Sequence, residues 1–381
     1  MYKILCLFLC IPLLLFSAES VPSEERLSLY LPLLKHKKVA LVMNHSSLIG
    51  KVSLVDYLLK KDIDVRKIFA PEHGFRGKED AGAHLLNSYD EKTKLPIISL
   101  YGTHKKPTKS DLEGIDIILF DIQDVGIRFY TYLSTLQYVM EAAVKEHIAI
   151  MVLDRPNPNG HYVDGPILKK KYRSFVGLTP IPVVYGMTIG EYAQMLNGER
   201  WLKGGSSVAL TVVPLKHYSH QSMYNLPIPP SPNLPNARAV ALYPSLAFFE
   251  GTVISAGRGT KKPFQLYGAP NYSVKKFSFI PKSREGAHHP KYKDRRCYGV
   301  DLSKNTPKSR VLNLSYLLDA YDKYTKKEKF FLNNGFFDAL AGSDTLRKQI
   351  LSGMTEAQIR QSWQKDLKRF KKIRQKYLLY P

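Results

Sequence analysis

The sequence predicts an α/β protein: a Rossmann-like, doubly wound, mostly parallel sheet in an N-terminal domain, then a smaller α+β auxiliary domain. Three observations carry this. Between Val39 and Leu153 short apolar runs recur, continuous rather than alternating as in half-exposed strands. Stretches with apolar residues at helical spacing stand between some of these runs, the order of a βαβ chain. Near Asp164 the texture changes, and beyond it Pro and Gly are frequent and the alternation fades.

The first run, Val39–Met43, follows Lys37-Lys38 and ends in Asn44-His45-Ser46-Ser47. Residues 53–61 place Leu54, Val55, Leu58 and Leu59 on one helical face. Val65–Ala70 is the second strand, broken by Pro71. A sharp turn follows, with Glu72, His73 and Arg76 around Gly74. Residues 96–101 form the third strand, stopped by Gly102, and residues 115–120 the fourth. The fourth delivers Asp121, Asp124, Gly126 and Arg128, then Phe129, Tyr130 and Tyr132. Residues 135–147 read as a helix with Leu136, Val139, Met140, Ala143 and Val144 on one stripe. Residues 148–153 are the fifth strand, ended by Asp154-Arg155-Pro156-Asn157-Pro158.

Downstream, residues 188–196 read as a helix stopped by Asn197-Gly198. The PIPPSPNLP segment at 227–235 admits neither regular helix nor central strand. In residues 250–260 glycines flank Arg258, which lets backbone approach a ligand closely. Residues 275–308 are basic and irregular, and are expected to form a surface excursion. Thr355 and Gln358 fit a capping box, and Ile359, Trp363, Leu367, Phe370, Ile373 and Tyr377 then form one helical stripe.

Ligands of doubly wound sheets bind outside the carboxyl ends of the strands. All but the third predicted strand end in ionisable or amide groups: Asn44/His45, Glu72/His73, Asp121/Asp124 and Asp154/Arg155. One acid there is ordinarily a cap. Four such ends on one edge predict a pocket.

Composition narrows the partners. Among 381 residues, Lys and Arg number 56 against 33 Asp and Glu, a net charge of +23, which favours polyanions. No RNA-recognition signature, zinc finger or basic region with heptads is present, so a nucleic-acid partner is not predicted. Hydrophobic content of 44% and charged content of 23% are those of a folded domain. Lys3, the apolar run at 4–16 and the small residues before Ala18 read as a secretory signal over 1–18. That run is shorter than the ~20 residues of a membrane span. The expectation is export to the periplasm or beyond, with no stable membrane span after cleavage. Cys6 and Cys10 leave with the signal, so Cys297 has no partner for an internal disulfide.

Several chemistries lack their motif: there is no P-loop, no dinucleotide fingerprint after the first strand, no G-x-S-x-G elbow and no H-E-x-x-H. What remains is carboxylates among Arg, His, Asn and Tyr. That set suits glycoside hydrolysis. It also suits metal-assisted hydrolysis, with Glu72, His73, Asp121, Asp124 and Asp154 gathered around a cation.

The motifs PEHGFRG (71–77), SLYG (99–102), FDIQDVGIRFYTY (120–132), LDRPNPNG (153–160), YGMTIGE (185–191), SPNLP (231–235), EGTVISAGRGT with KPF (250–264) and RQKYLLY (374–380) resemble those of the exo-β-N-acetylmuramidase NamZ family, the YbbC-type proteins. The resemblance spans the mature chain, with departures at MNHSS (43–47) and Asn271. It implies a Rossmann-like catalytic domain at 24–164, an auxiliary domain at 165–381 and a cleft between them. It further implies release of β-linked N-acetylmuramic acid from non-reducing ends of peptidoglycan fragments, with no cofactor and no metal.

By motif, Glu72 is the candidate general acid with His73 beside it, and Asp121 and Asp124 are candidate partners in catalysis. Candidate substrate contacts are Asn44, Arg76, Arg128, Tyr130, Asp154, Arg155, Asn157, Asn233, Glu250 and Arg258. Of these, Arg128, Arg155 and Arg258 are candidates for the lactyl carboxylate, and Asn233 and Glu250 would reach the cleft from the second domain. Two alternatives stand beside this reading: a non-catalytic wall-binding protein, and a metal-dependent hydrolase of another substrate.

Overall fold

The computed structural model describes Pro22 and residues 25–72, 74–75, 88–222, 224–304 and 311–381. The predicted signal segment, His73 and Arg76 lie outside the described residues.

The chain enters through helix α1 (Leu27–Leu34) and strand β1 (Val39–Met43), then the small hairpin β2 (Leu48–Ile49) and β3 (Val52–Ser53). There follow α2 (Leu54–Lys60), β4 (Val65–Ala70), β5 (Ser88–Tyr89), β6 (Pro96–Ser99), α3 (Lys109–Leu112), β7 (Ile117–Asp121), α4 (Tyr132–Lys145) and β8 (Ala149–Leu153). Helix α5 (Ile189–Gly198) leads into β9 (Leu210–Val213). Among the described residues seven strands form one sheet in the order β5-β6-β4-β1-β7-β8-β9. Every neighbouring pair is parallel except β5 with β6. The parallel strands thus run 3-2-1-4-5-6 in chain order, the doubly wound Rossmann arrangement, with its switch point between β1 and β7.

Burial follows from the sequence. In β1, Val39, Leu41 and Met43 face the α1–α2 side with Leu54, Val55 and Leu58. Ala40 and Val42 face the other side, where α4 and α5 pack Leu136, Val139, Met140 and Tyr192. Both faces are covered, which is why the strands read as unbroken apolar runs. The predicted strands match to within two residues at each end. The sheet takes its last strand from beyond residue 164, because α5 completes another crossover before β9.

Beyond β9 come α6 (Ala237–Leu246), β10 (Leu266–Ala269), β11 (Ser278–Phe279), β12 (Cys297–Asp301), α7 (Ser315–Lys323), α8 (Phe336–Ala341), α9 (Thr345–Leu351), α10 (Glu356–Ser362) and α11 (Gln364–Arg374). Strands β10, β12 and β11 form an antiparallel sheet. The expected surface excursion at 275–308 supplies two of these strands, and most of its other described residues are exposed or half-buried, as expected. The C-terminal stripe divides at Trp363 into two helices, α10 opening on the Thr355–Gln358 capping box. One apolar cluster runs from the N-terminal sheet through Phe248, Tyr267, Phe330 and Trp363, so the two parts share a core.

Candidate active site

The carboxyl edge of the sheet separates into two layers. The inner layer holds most of the strand-end residues and consumes their polar groups internally. Asn44, buried after β1, donates to Tyr132 Oη at 3.0 Å and accepts from the Ser46 amide at 2.9 Å. Asp121, at the end of β7, is fully buried and grips Arg155 bidentately, with Nε–Oδ1 2.7 Å and Nη2–Oδ2 2.8 Å. Such a fork satisfies both carboxylate oxygens and the rigid guanidinium edge together. Asp154 accepts from Tyr380 Oη at 2.6 Å, Thr188 Oγ1 at 2.7 Å, the Gly190 amide at 2.8 Å and the Arg155 amide at 3.0 Å. Burial pushes its carboxyl up to about 7 against the pull of those donors.

Asn157 is likewise absorbed. Its Nδ2 donates to Met187 O at 2.7 Å and its Oδ1 accepts the Asn159 amide at 2.8 Å. The side chain lies against Gly126, whose φ is +79°, and a Cβ there would stand 2.2 Å from Asn157 Oδ1. This close approach explains the glycine of the DVG motif. Arg128 is buried with Nη1 donating to Pro166 O and Ile181 O, and Nη2 to Leu340 O, each at 2.7 Å. Burial draws its pKa down to about 9, so it stays charged at neutral pH. It ties the β7–α4 turn to α8 through carbonyls.

Asp124 also belongs to the inner layer, buried and outside the cavity wall. Its Oδ2 accepts from the Gly126 amide at 2.6 Å and from Tyr185 Oη, while Oδ1 is buried with no hydrogen-bond partner among the described residues. Burial pushes its carboxyl up to about 6.

The outer layer is a cavity of about 860 Å³ between the two parts of the chain. From the strand ends it is lined by Glu72, Phe129, Tyr130 and Thr131, and from beyond residue 230 by Asn233, Tyr243, Glu250, Arg258, Phe264 and Lys291. Glu72 follows β4 by two residues, and its Oε2 accepts from Thr131 Oγ1 at 2.5 Å. Thr131 is the residue before α4, so the two strand ends meet at this contact. Tyr130 donates to Pro230 O at 2.9 Å and packs edge-on to Tyr132 and Tyr243. The proline-rich 227–235 segment is thus pinned as a wall.

The far wall is braced from several sides. Arg258 pairs with Glu250 at 3.1 Å and donates to Gly286 O at 3.1 Å, and Asn233 Nδ2 donates to the same carbonyl at 2.8 Å. Gly286 has φ +73°, and a Cβ there would sit 2.4 Å from Pro232. Lys291 places Nζ among the carbonyls of Phe249, Glu250 and Thr252 at 2.8, 3.1 and 2.5 Å. Burial draws its pKa down to about 8.

Of the predicted site residues, the cavity wall includes Glu72, Tyr130, Asn233, Glu250 and Arg258. It does not include Asn44, Asp121, Asp124, Arg128, Asp154, Arg155 or Asn157, which form the layer behind. His73 and Arg76 fall outside the described residues. Thr131, Tyr243, Phe264 and Lys291 were not singled out as site residues from sequence. Thr131, inside the FDIQDVGIRFYTY motif, and Phe264, in the KPF that follows EGTVISAGRGT, carried a signal; Tyr243 and Lys291 become neighbours only through the fold. Among the described residues no three His, Cys, Asp or Glu side chains converge in a group that could hold a metal ion.

A doubly wound domain and the chain beyond it thus enclose a cavity of carboxylates, aromatic rings and fixed cations, a set that suits a glycoside hydrolase. The chain belongs to the exo-β-N-acetylmuramidase NamZ family: residues 39–238 match its N-terminal domain and residues 241–380 its C-terminal domain. It is 41% identical over 371 residues to the peptidoglycan β-N-acetylmuramidase NamZ of Bacillus subtilis (strain 168), an alignment covering 91% of this chain and 88% of that protein. Two crystal structures of DUF1343 family proteins from Bacteroides fragilis NCTC 9343 share the fold. One superposes with a TM-score of 0.88 at 46% identity, the other with 0.80 at 28%, each covering 95% of this chain and 99% of its own.

Proposed function

We propose that this protein is an exported exo-β-N-acetylmuramidase that releases β-linked N-acetylmuramic acid from the non-reducing ends of peptidoglycan fragments. The observation that carries the reading is a cavity whose wall includes Glu72, Glu250 and Arg258 together with Tyr130, Tyr243 and Phe264, in a chain of this family. Glu72, as the carboxylic acid, gives its proton to the glycosidic oxygen as the C1–O4 bond breaks, and Thr131 holds its other function in orientation through Oε2. Positive charge developing at the anomeric carbon falls within the field of Glu250, and of Asp124 one layer back. A water oxygen completes the sugar, and the proton it sheds restores the acid. The lactyl carboxylate distinguishes this sugar from other hexosamines. Of the three arginines considered for it, Arg258 is the one in the cavity wall, beside Lys291. The apolar run at 4–16 supports export, which the N-terminal sequence of the protein recovered from its native cell would test.

Incubating the purified protein with a β-linked N-acetylmuramyl chromogen tests the activity. Steady release of chromogen is expected. No release by folded protein that still binds wall fragments would replace the enzyme by a binding module.

A further inference from the structure

Helix α11 carries a charge pattern that the cavity does not use. Lys365, Lys368, Arg369, Lys371 and Lys372 are all exposed, and Asp366 is the one acid in the helix. At 100° per residue, Lys365, Lys368, Arg369 and Lys372 fall in one arc, opposite the buried Leu367 and Phe370. The stripe rises about 10 Å along the helix. Among the described residues none of these cations has an acidic partner, whereas the neighbouring Arg360 is neutralised by Asp164 and Glu356 and Lys376 by Glu199. Like charges three and four residues apart destabilise a helix. The cost is accepted on the outer face and removed at the packed one.

We propose that this stripe is a docking surface for the anionic peptidoglycan polymer, holding the enzyme on uncleaved wall while the cavity works on chain ends. The inference rests on the muramidase reading for the identity of the polymer. Wall polymer carrying free carboxylates supplies the matching charge, and exposed Lys and Arg on a rigid helix recognise it without a pocket. A lipid surface fits less well. A helix lying in a membrane interface offers its apolar face to the acyl chains, and here that face is spent on Leu367 and Phe370 in the core.

The test compares wild type with the triple variant Lys365→Glu/Lys368→Glu/Lys372→Glu, and with the same three sites changed to Gln in case reversal disturbs folding. Each is mixed with intact sacculi, with vesicles of anionic phospholipid, and with the N-acetylmuramyl chromogen. Wild type is expected to be retained on sacculi at low ionic strength and shed at about 0.5 M salt. Retention by the variants should fall on the order of tenfold, with chromogen release unchanged. Equal retention of variants and wild type, or wild-type binding to vesicles as strong as to sacculi, would overturn the proposal. If wild type binds sacculi through the stripe but releases no chromogen, the docking surface stands and the muramidase reading fails.

Discussion

Asp121 and Arg155, two candidate site residues, spend their charges on each other. Carboxylate at a strand end and arginine after the next strand are what a site requires, but the two close on each other in full burial. Removing one partner leaves the other charged and dry, which costs about 3–5 kcal/mol. Asp121→Asn is therefore expected to lower stability by about that amount in urea unfolding. Asp154 makes a second prediction, with a definite sign. Its folded pKa, about 7, lies above its ordinary value of 3.8. The folded state thus holds a proton that the unfolded state has released, and stability falls as pH rises through that window. Asp124, raised to about 6, adds to the same slope. Unfolding free energy of wild type should decline between about pH 4 and pH 7, and Asp154→Asn should flatten the upper part of that decline. An equally steep profile in the variant would assign the titration elsewhere.

At the scale of elements, the strands were legible because both faces of the sheet are covered, and a doubly buried strand writes itself as an unbroken apolar run. Residues 275–308 were not, since β11 and β12 are short, partly exposed and interleaved with turns. The C-terminal stripe was read correctly as a packed face, yet its periodicity could not show the break at Trp363. The end of the chain is a strap: Tyr380 Oη reaches Asp154, the Leu379 amide reaches Glu191, and Arg374 donates to Gly186 O. Tyr380→Phe removes one donor from a buried carboxylate, and a loss of about 1–3 kcal/mol in thermal or urea unfolding is expected.

For the molecule as a whole, the site is an interface property. The PEHG turn announced Glu72, and the SPNLP and EGT–GRG motifs announced Asn233, Glu250 and Arg258, since each is local. Sequence could not tell which strand-end acids face the cavity, because that depends on whether a partner such as Arg155 arrives from another strand. Nor could it find Tyr243 or Lys291, which reach the cavity from α6 and from a distant loop. Arg128 spans the two parts by donating to Pro166, Ile181 and Leu340 carbonyls. Arg128→Lys keeps the charge but loses the fork, and should loosen α8 and lower the unfolding midpoint.

The central claim is that Glu72 delivers the proton. Measuring kcat/KM on the N-acetylmuramyl chromogen for wild type and Glu72→Gln tests it most directly, with unfolding curves confirming an intact fold. A drop of at least about 10³-fold is expected, with the unfolding midpoint unchanged. Turnover within a few-fold of wild type would contradict the account and move the acid to another carboxylate.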